Sequence, residues 1–296
     1  MKNLQNTSLK DLNRTINRLR KLDLQSTQVN DIIDLLMSVG ETANINLTIG
    51  LNSTLLRARP NKECPRFTKT EELSIKPAKS NTDFQRASTP RKTMFYGVYM
   101  SGKLDQYERD IMRKAAAYET IPEIRVPNNP YSEKLTLGYW TNHQKLNLIA
   151  IMHKNEYTES NPYTKEVFDA YKKHLASGDP KLMEKSLTFY EFLADEFSKK
   201  TIRGKYDYRI SALYTEAASR QNIDGVIYPS VRLGGISYNI ALKEGAMKKL
   251  KLDSVEEAIA QQEDNNVQVS VTAFTKCTDK SNFILMDVPK IKAQSR

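Results

Sequence analysis

Several segments of this chain carry side chains of a kind that could bind or transform a ligand. Arg57 and Arg59 close the apolar run LLRARP. Arg86 and Ser88 lie in QRASTP, just before MFYGVYM, which contains Tyr96. Glu119 falls in KAAAYET, and Ser230 and Arg232 follow Val226–Tyr228 within DGVIYPSVRLGGISYNIAL. A guanidinium is a planar fork that makes bidentate, charge-assisted bonds, so arginines suit a pyrophosphate. A carboxylate suits a cationic, oxocarbenium-like centre such as arises in sugar transfer. A tyrosine ring offers a stacking face to a nicotinamide or adenine. A hydroxyl and a guanidinium placed where a core strand emerges are held by the scaffold and open to a ligand. Each residue alone also has an ordinary reading as an exposed ion pair or a core aromatic.

Other chemistries lack their patterns. No GxGxxG follows a strand and no GxxxxGK[ST] is present, so the phosphate-binding turns of Rossmann and P-loop proteins are missing. Gly234-Gly235 reads as a turn. No GxSxG elbow surrounds Ser230, which argues against an α/β-hydrolase. His143, His153 and His174 are scattered, Cys64 and Cys277 form no CxxC, and no metal-ligand spacing results. Free thiols suggest a reducing compartment. The N-terminus has no apolar signal-peptide core and no segment has the apolar length of a membrane span, so a cytoplasmic protein is expected.

The formal net charge is +10, and ten basic residues lie between Arg57 and Lys92 against four acids, Glu63, Glu71, Glu72 and Asp83. Such a window attracts anions: nucleic acid, a phosphorylated metabolite or an acidic partner. A solvated, lysine-rich loop is the plainer reading.

The elements that must position these residues follow from periodicity. Leu9, Leu12, Ile16 and Leu19 predict a helix capped by Ser8, and a second spans Val29 to Val39, giving a helical hairpin over residues 1–45. Ile45 to Leu56 alternates loosely and runs on to Arg59 as one strand, stopped by Pro60. Residues 60–93 form a long polar loop. MFYGVYM (94–100) is a strand and 104–119 a helix. KLTLGYW (134–140) and LNLIAIMH (146–153) read as a strand pair around TNHQK. A helical block fills Glu166 to Lys200, and Tyr208 to Arg220 is a helix leading into the DGVIYPS strand. Val267–Phe274 and Asn282–Met286 close the chain as strands. Strands and helices without regular βαβ order argue for an α+β fold.

LLRARP, RASTP leading into FYG, AAAYET, TLGYW followed by LNLIAI, and DGVIYPSVRLGGISYNIAL occur in the order of the RES domain, and over roughly residues 50–290 the chain resembles that family. The resemblance implies an ADP-ribosyltransferase-like fold with a split β-sheet and surrounding helices, preceded here by the N-terminal hairpin. A catalytic domain would span 46–296, with a helical insertion around 160–205. It implies a toxin that consumes NAD as substrate, by phosphorolysis with inorganic phosphate as co-substrate or by hydrolysis, or that ADP-ribosylates a protein. The family arginine falls on Arg57, with Arg59 as an adjacent competitor. The second arginine falls on Arg86, where Gln85 replaces the usual glycine, and the tyrosine falls on Tyr96. The glutamate falls on Glu119, with Glu108 nearer the usual spacing from the tyrosine, and the serine on Ser230. Arg57 and Arg86 would hold the pyrophosphate and Tyr96 the nicotinamide end. Glu119 would stabilise the ribosyl cation, Ser230 would position the ribose or Glu119, and Arg232 would serve a phosphate or brace its neighbours. A cognate Xre-type antitoxin is the implied partner, with any DNA contact made through it; the hairpin is a docking, oligomer or core surface. The competing expectation is a basic nucleic-acid-binding protein without catalysis.

Overall fold

The computed structural model describes residues 4–39, 45–62, 64, 66–100, 104–151, 159, 161–176, 179–218, 222–264, 266–277 and 281–289. Glu63, His153 and Arg220 lie outside them. The fold is α+β: ten strands form a large, mostly antiparallel sheet. The chain divides into two compact units.

The first unit comprises residues 1–50, 76–96 and 145–247. Its helices are α1 (Leu9–Lys21), α2 (Val29–Ser38), α4 (Pro162–Ala176), α5 (Pro180–Phe197) and α6 (Arg209–Ala218). Its strands run in the order β1 (Asn46–Ile49), β5 (Leu146–Ala150), β6 (Gly225–Pro229), β7 (Tyr238–Lys243). Ser8 caps α1 by accepting the Asp11 N–H at 3.1 Å. The predicted stripe Leu12, Ile16 and Leu19 is buried, with Ile32 and Leu36 of α2, in a core shared with Phe189, Phe192, Phe197, Leu213 and Val226. The hairpin therefore packs on the same core as the 160–205 helices. Two buried cations fasten it by its carbonyls, which would otherwise be costly to bury unbonded. Lys185 Nζ donates to Leu4 O and Thr7 O at 2.8 and 3.0 Å, and Arg209 Nη1 donates to Leu24 O and Thr27 O at 2.5 and 2.7 Å. Gly225 lets β6 approach β7 closely: a Cβ there would stand 2.0 Å from Ala241 O.

Four tyrosines of this unit make it sensitive to base. Burial pushes the phenols of Tyr96 and Tyr171 up to about 12, and raises Tyr190 and Tyr214 as well. Between the ordinary value of 10.0 and about 12 the unfolded chain has released phenolic protons that the folded one retains. Stability is therefore complete below pH 10 and falls as pH rises through this window. The expected result is a urea midpoint that drops steeply between pH 10 and 12, with phenolate absorbance appearing together with unfolding. Phenolate absorbance completed near pH 10 in a folded protein would contradict the burial.

The second unit comprises residues 51–75, 97–144 and 248–296. Its strands run β2 (Thr54–Pro60), β4 (Tyr131–Asn142), β8 (Leu250–Glu263), β9 (Asn266–Lys276), β10 (Met286–Asp287). β3 (Met94–Tyr99) divides between the units at Tyr96/Gly97, and its second half pairs with β2 through Leu55–Tyr99 and Leu56–Val98. The helix α3 (Gln106–Thr120) packs on β2 and β9.

Three sequence expectations are corrected. Ile45 to Arg59 is two strands, not one, because the chain turns at Asn52 (φ 59°), where an Asn tolerates the left-handed region. KLTLGYW and LNLIAI do not pair with each other: β4 pairs with β2 and β8, and β5 with β1 and β6. The 14-residue β8 went unpredicted, and of the expected closing strand 282–286 only Met286 lies in β10. The loop at 60–93 contains short 3₁₀ turns at Thr70–Leu73 and Ala78–Ser80.

Candidate active site

In the first unit the segment Gln85–Ser88 is a tight turn, closed by Gln85 N–H to Ser88 O at 2.9 Å and Ser88 N–H to Gln85 O at 3.2 Å. Tyr96, projecting from β3, anchors it. Its hydroxyl accepts the Ala87 N–H at 3.1 Å and donates to Ser88 Oγ at 3.0 Å. Burial is the main reason the Tyr96 phenol is raised; Ser88, the Ala87 N–H and the Arg86 guanidinium pull the other way. Arg86 is buried at the tip of this turn. Its guanidinium donates to Phe197 O, to Lys199 O at 3.4 Å and to Tyr208 Oη at 3.2 Å. It lies 4.8 Å over the Tyr208 ring and 6.0 Å over that of Tyr228, on β6. Thr89 Oγ1 donates to Glu216 Oε2 at 2.7 Å and Lys92 pairs with the same carboxylate, so α6 holds the rest of the loop. The structure thus brings Arg86, Ser88 and Tyr96 together and joins them to the strand that leads into Ser230.

Ser230 is fully buried. Its N–H donates to Ser237 O and its carbonyl accepts the Gly235 N–H, both at 2.8 Å, closing a loop across Ser230–Ser237. Gly234 (φ 58°) and Gly235 (φ 85°) take the left-handed conformations that make this reversal, as the Gly pair implied. Arg232 is half-buried on the loop.

The second unit holds the other predicted residues. Arg57 and Arg59 lie two apart on β2 and so project from the same face. Arg57 stands opposite Gly138 of β4. Arg59 is tied down: its Nη2 donates to Ser74 O at 3.0 Å, and burial pulls its guanidinium pKa down, with Glu72 opposing. Glu108 is the third residue of α3 and completes a capping box with Asp105. Asp105 Oδ1 accepts the Glu108 N–H and Glu108 Oε2 accepts the Asp105 N–H, each at 2.8 Å. Glu119 is half-buried in the last turn of the same helix. Arg125 braces that turn, donating from Nε to Tyr118 O at 2.6 Å and from Nη2 to Glu119 O at 2.9 Å. A cation bonded to the last carbonyls of a helix also suits its dipole.

No family model matches the chain, and no curated protein matches it.

At least half of the ten basic residues of the window are bonded from within. Besides Arg59, Arg86 and Lys92, Lys62 pairs with Glu123 at 3.1 Å, and Arg66 pairs with Glu257 and Asp287 at 3.0 and 2.7 Å. Grooves of about 300 and 350 Å³ lie elsewhere, one along β1 and β5 around Thr48 and Asn147, one between α3 and β9 around Tyr107 and Lys114. Neither includes a residue given a site role in the sequence analysis. Sequence reasoning missed Asn161, Tyr208, Glu216 and Arg125 as supports. Of these only Asn161 had a signal, since Asn followed by Pro is a helix-start pattern.

No helix among the described residues is long and apolar enough to cross a membrane.

Proposed function

We propose that the chain is an NAD-consuming enzyme on an ADP-ribosyltransferase-like scaffold, breaking the bond between nicotinamide and ribose. The observation that carries the reading is the convergence of two motif segments far apart in sequence. Arg86 of QRASTP lies over Tyr228 of DGVIYPS, and Tyr96 fixes the turn that presents Arg86. Those are the segments in which the resemblance places nucleotide-binding residues, Arg86, Tyr96, Ser230 and Arg232.

The roles of Arg57 and Glu119 rest on the resemblance. Arg59 is engaged by Ser74 and Glu108 by the capping box. In the reaction the C–N bond breaks, nicotinamide leaves neutral with the bonding pair, and positive charge spreads over the ribose carbon and ring oxygen. Glu119 stabilises that charge. An incoming phosphate oxygen gives ADP-ribose phosphate, water gives ADP-ribose and a proton, and a protein nucleophile gives an ADP-ribosylated protein.

Such an activity would deplete cellular NAD, so the reading includes a toxin restrained by an Xre-type antitoxin in the cytoplasm. The test is incubation of purified protein with NAD, with and without phosphate, and identification of the products. Nicotinamide release is expected in at least one condition. Its absence in both, with a protein substrate mixture also supplied, would overturn the reading.

A further inference from the structure

Asn161 stands immediately before α4, outside every motif singled out in the sequence. Its side chain makes four hydrogen bonds of two kinds. Oδ1 accepts the N–H groups of Tyr163 and Thr164 at 3.0 and 3.3 Å, the bonds of a helix N-cap, with Pro162 at the first helical position. Nδ2 donates to Gly235 O and Ile236 O, both at 3.0 Å. Two N–H groups on one side and two carbonyls on the other fix the orientation of the amide. The same helical turn grips the loop twice more. Thr164 Oγ1 is hydrogen-bonded to Tyr238 Oη, and the Tyr163 ring meets the Tyr238 ring edge-on with centroids 5.7 Å apart. Asn161, Thr164 and Tyr238 are all buried.

We propose that the first turn of α4 positions the Ser230–Ser237 loop, with Asn161 as the positioning residue and Tyr238 as its second anchor. The helical insertion then acts on the candidate site by setting the loop that carries Ser230 and Arg232. The physical reason is that a loop reversing through Gly234 and Gly235 has more conformational freedom to lose than any other sequence would. Its own bonds, Ser230 to Ser237 and Gly235 to Ser230, close the loop, and Asn161 ties the reversal to a helix end. The consequence for catalysis rests on the reading that this loop faces the nucleotide.

Asn161→Asp separates the two kinds of bond. A carboxylate is as good an N-cap as an amide but donates nothing to Gly235 or Ile236. In the full chain, hydrogen exchange of the Gly235 and Ile236 amides is expected to quicken about tenfold or more, while the α4 amides keep their protection. Tyr238→Phe, which keeps the ring and removes the bond to Thr164, should quicken the same amides if Asn161→Asp does not fold. With NAD as substrate, KM should rise about tenfold with a smaller change in kcat, and Asn161→Asp should remain impaired at saturating phosphate. Unchanged loop exchange in both variants would overturn the proposal whatever the activity. Faster exchange with unchanged KM would overturn its link to nucleotide binding. A wild-type protein that releases no nicotinamide would sink the functional reading and leave the exchange result to judge the clamp alone.

Discussion

Glu119→Gln is expected to lower nicotinamide release from NAD by about 10²–10³-fold at unchanged urea midpoint, the usual effect of removing one group aimed at developing charge. The substitution keeps the shape of the side chain and removes only its charge. The backbone there is held by Arg125, which bonds the carbonyls of Tyr118 and Glu119. KM should change less than kcat, since the charge that needs the carboxylate appears only as the bond breaks. Glu108 supplies the control. Glu108→Ala removes half of a capping box, at a cost of about 0.5–2 kcal/mol in stability, with turnover preserved. The opposite pattern, full activity in Glu119→Gln and its loss in stable Glu108→Gln, would move the reacting carboxylate to the start of the helix. The measurement is nicotinamide release by the three variants beside their urea denaturation curves.

Where local pattern and tertiary packing agree, the sequence was legible. Leu12, Ile16 and Leu19 recur at helical spacing and are buried, and Ser8 caps them as its type implied. Val226–Tyr228 reads as a core strand and is one, buried along its length between β5 and β7. The failures have the opposite cause. Glu256-Glu257 in the middle of VEEAIAQQ argues against a strand by composition, yet both carboxylates are buried in β8 because distant cations meet them. Glu257 receives Arg66 and Lys134 at 3.0 and 3.4 Å, and Glu256 receives Arg113. No local window contains those partners. The strand pair expected around TNHQK failed similarly. Nearness in sequence suggested a hairpin, but β5 finds β1 and the parallel β6, and β4 finds β2 and β8. At the candidate site the residues were readable by type, while what holds them was not. Tyr96 offers a stacking ring, but its hydroxyl is bonded to Ala87 and Ser88. Arg86 was read as a ligand for pyrophosphate, and its guanidinium is bonded to the carbonyls of Phe197 and Lys199 and to Tyr208. Any nucleotide contact by Arg86 must therefore be made alongside those bonds.

Glu256→Ala is expected to destabilise the second unit by about 3–5 kcal/mol, the cost of removing one partner of a buried ion pair. Glu256 and Arg113 are each almost fully buried. They meet through two parallel bonds, Arg113 Nε to Oε2 at 2.9 Å and Nη2 to Oε1 at 2.7 Å. Tyr139 donates its hydroxyl to Oε2 at 2.8 Å, and Asp110 takes the remaining Arg113 nitrogen at 2.6 Å. This cluster joins α3 to β4 and β8. The Glu256 carboxylate raises the Arg113 guanidinium above its ordinary value, and a guanidinium keeps its charge in a protein even when that carboxylate is removed. Replacing both partners by apolar residues of similar volume, Arg113→Met with Glu256→Leu, should cost less than either single change, because the charges leave together. The Tyr139 hydroxyl would still lose its acceptor, about 1–3 kcal/mol, so the double variant should fall between the single variant and the wild type. Urea midpoints and m-values of the three variants decide the matter. A single variant within 1 kcal/mol of wild type, taking that margin as about the error of surface substitutions, would mean that water reaches Arg113 and that the cluster is not sealed. The same measurement bears on catalysis indirectly. Glu119 and Arg113 lie on one helix, so a loosened Arg113–Glu256 pair should lower nicotinamide release in step with stability, whereas Glu119→Gln lowers it with stability intact.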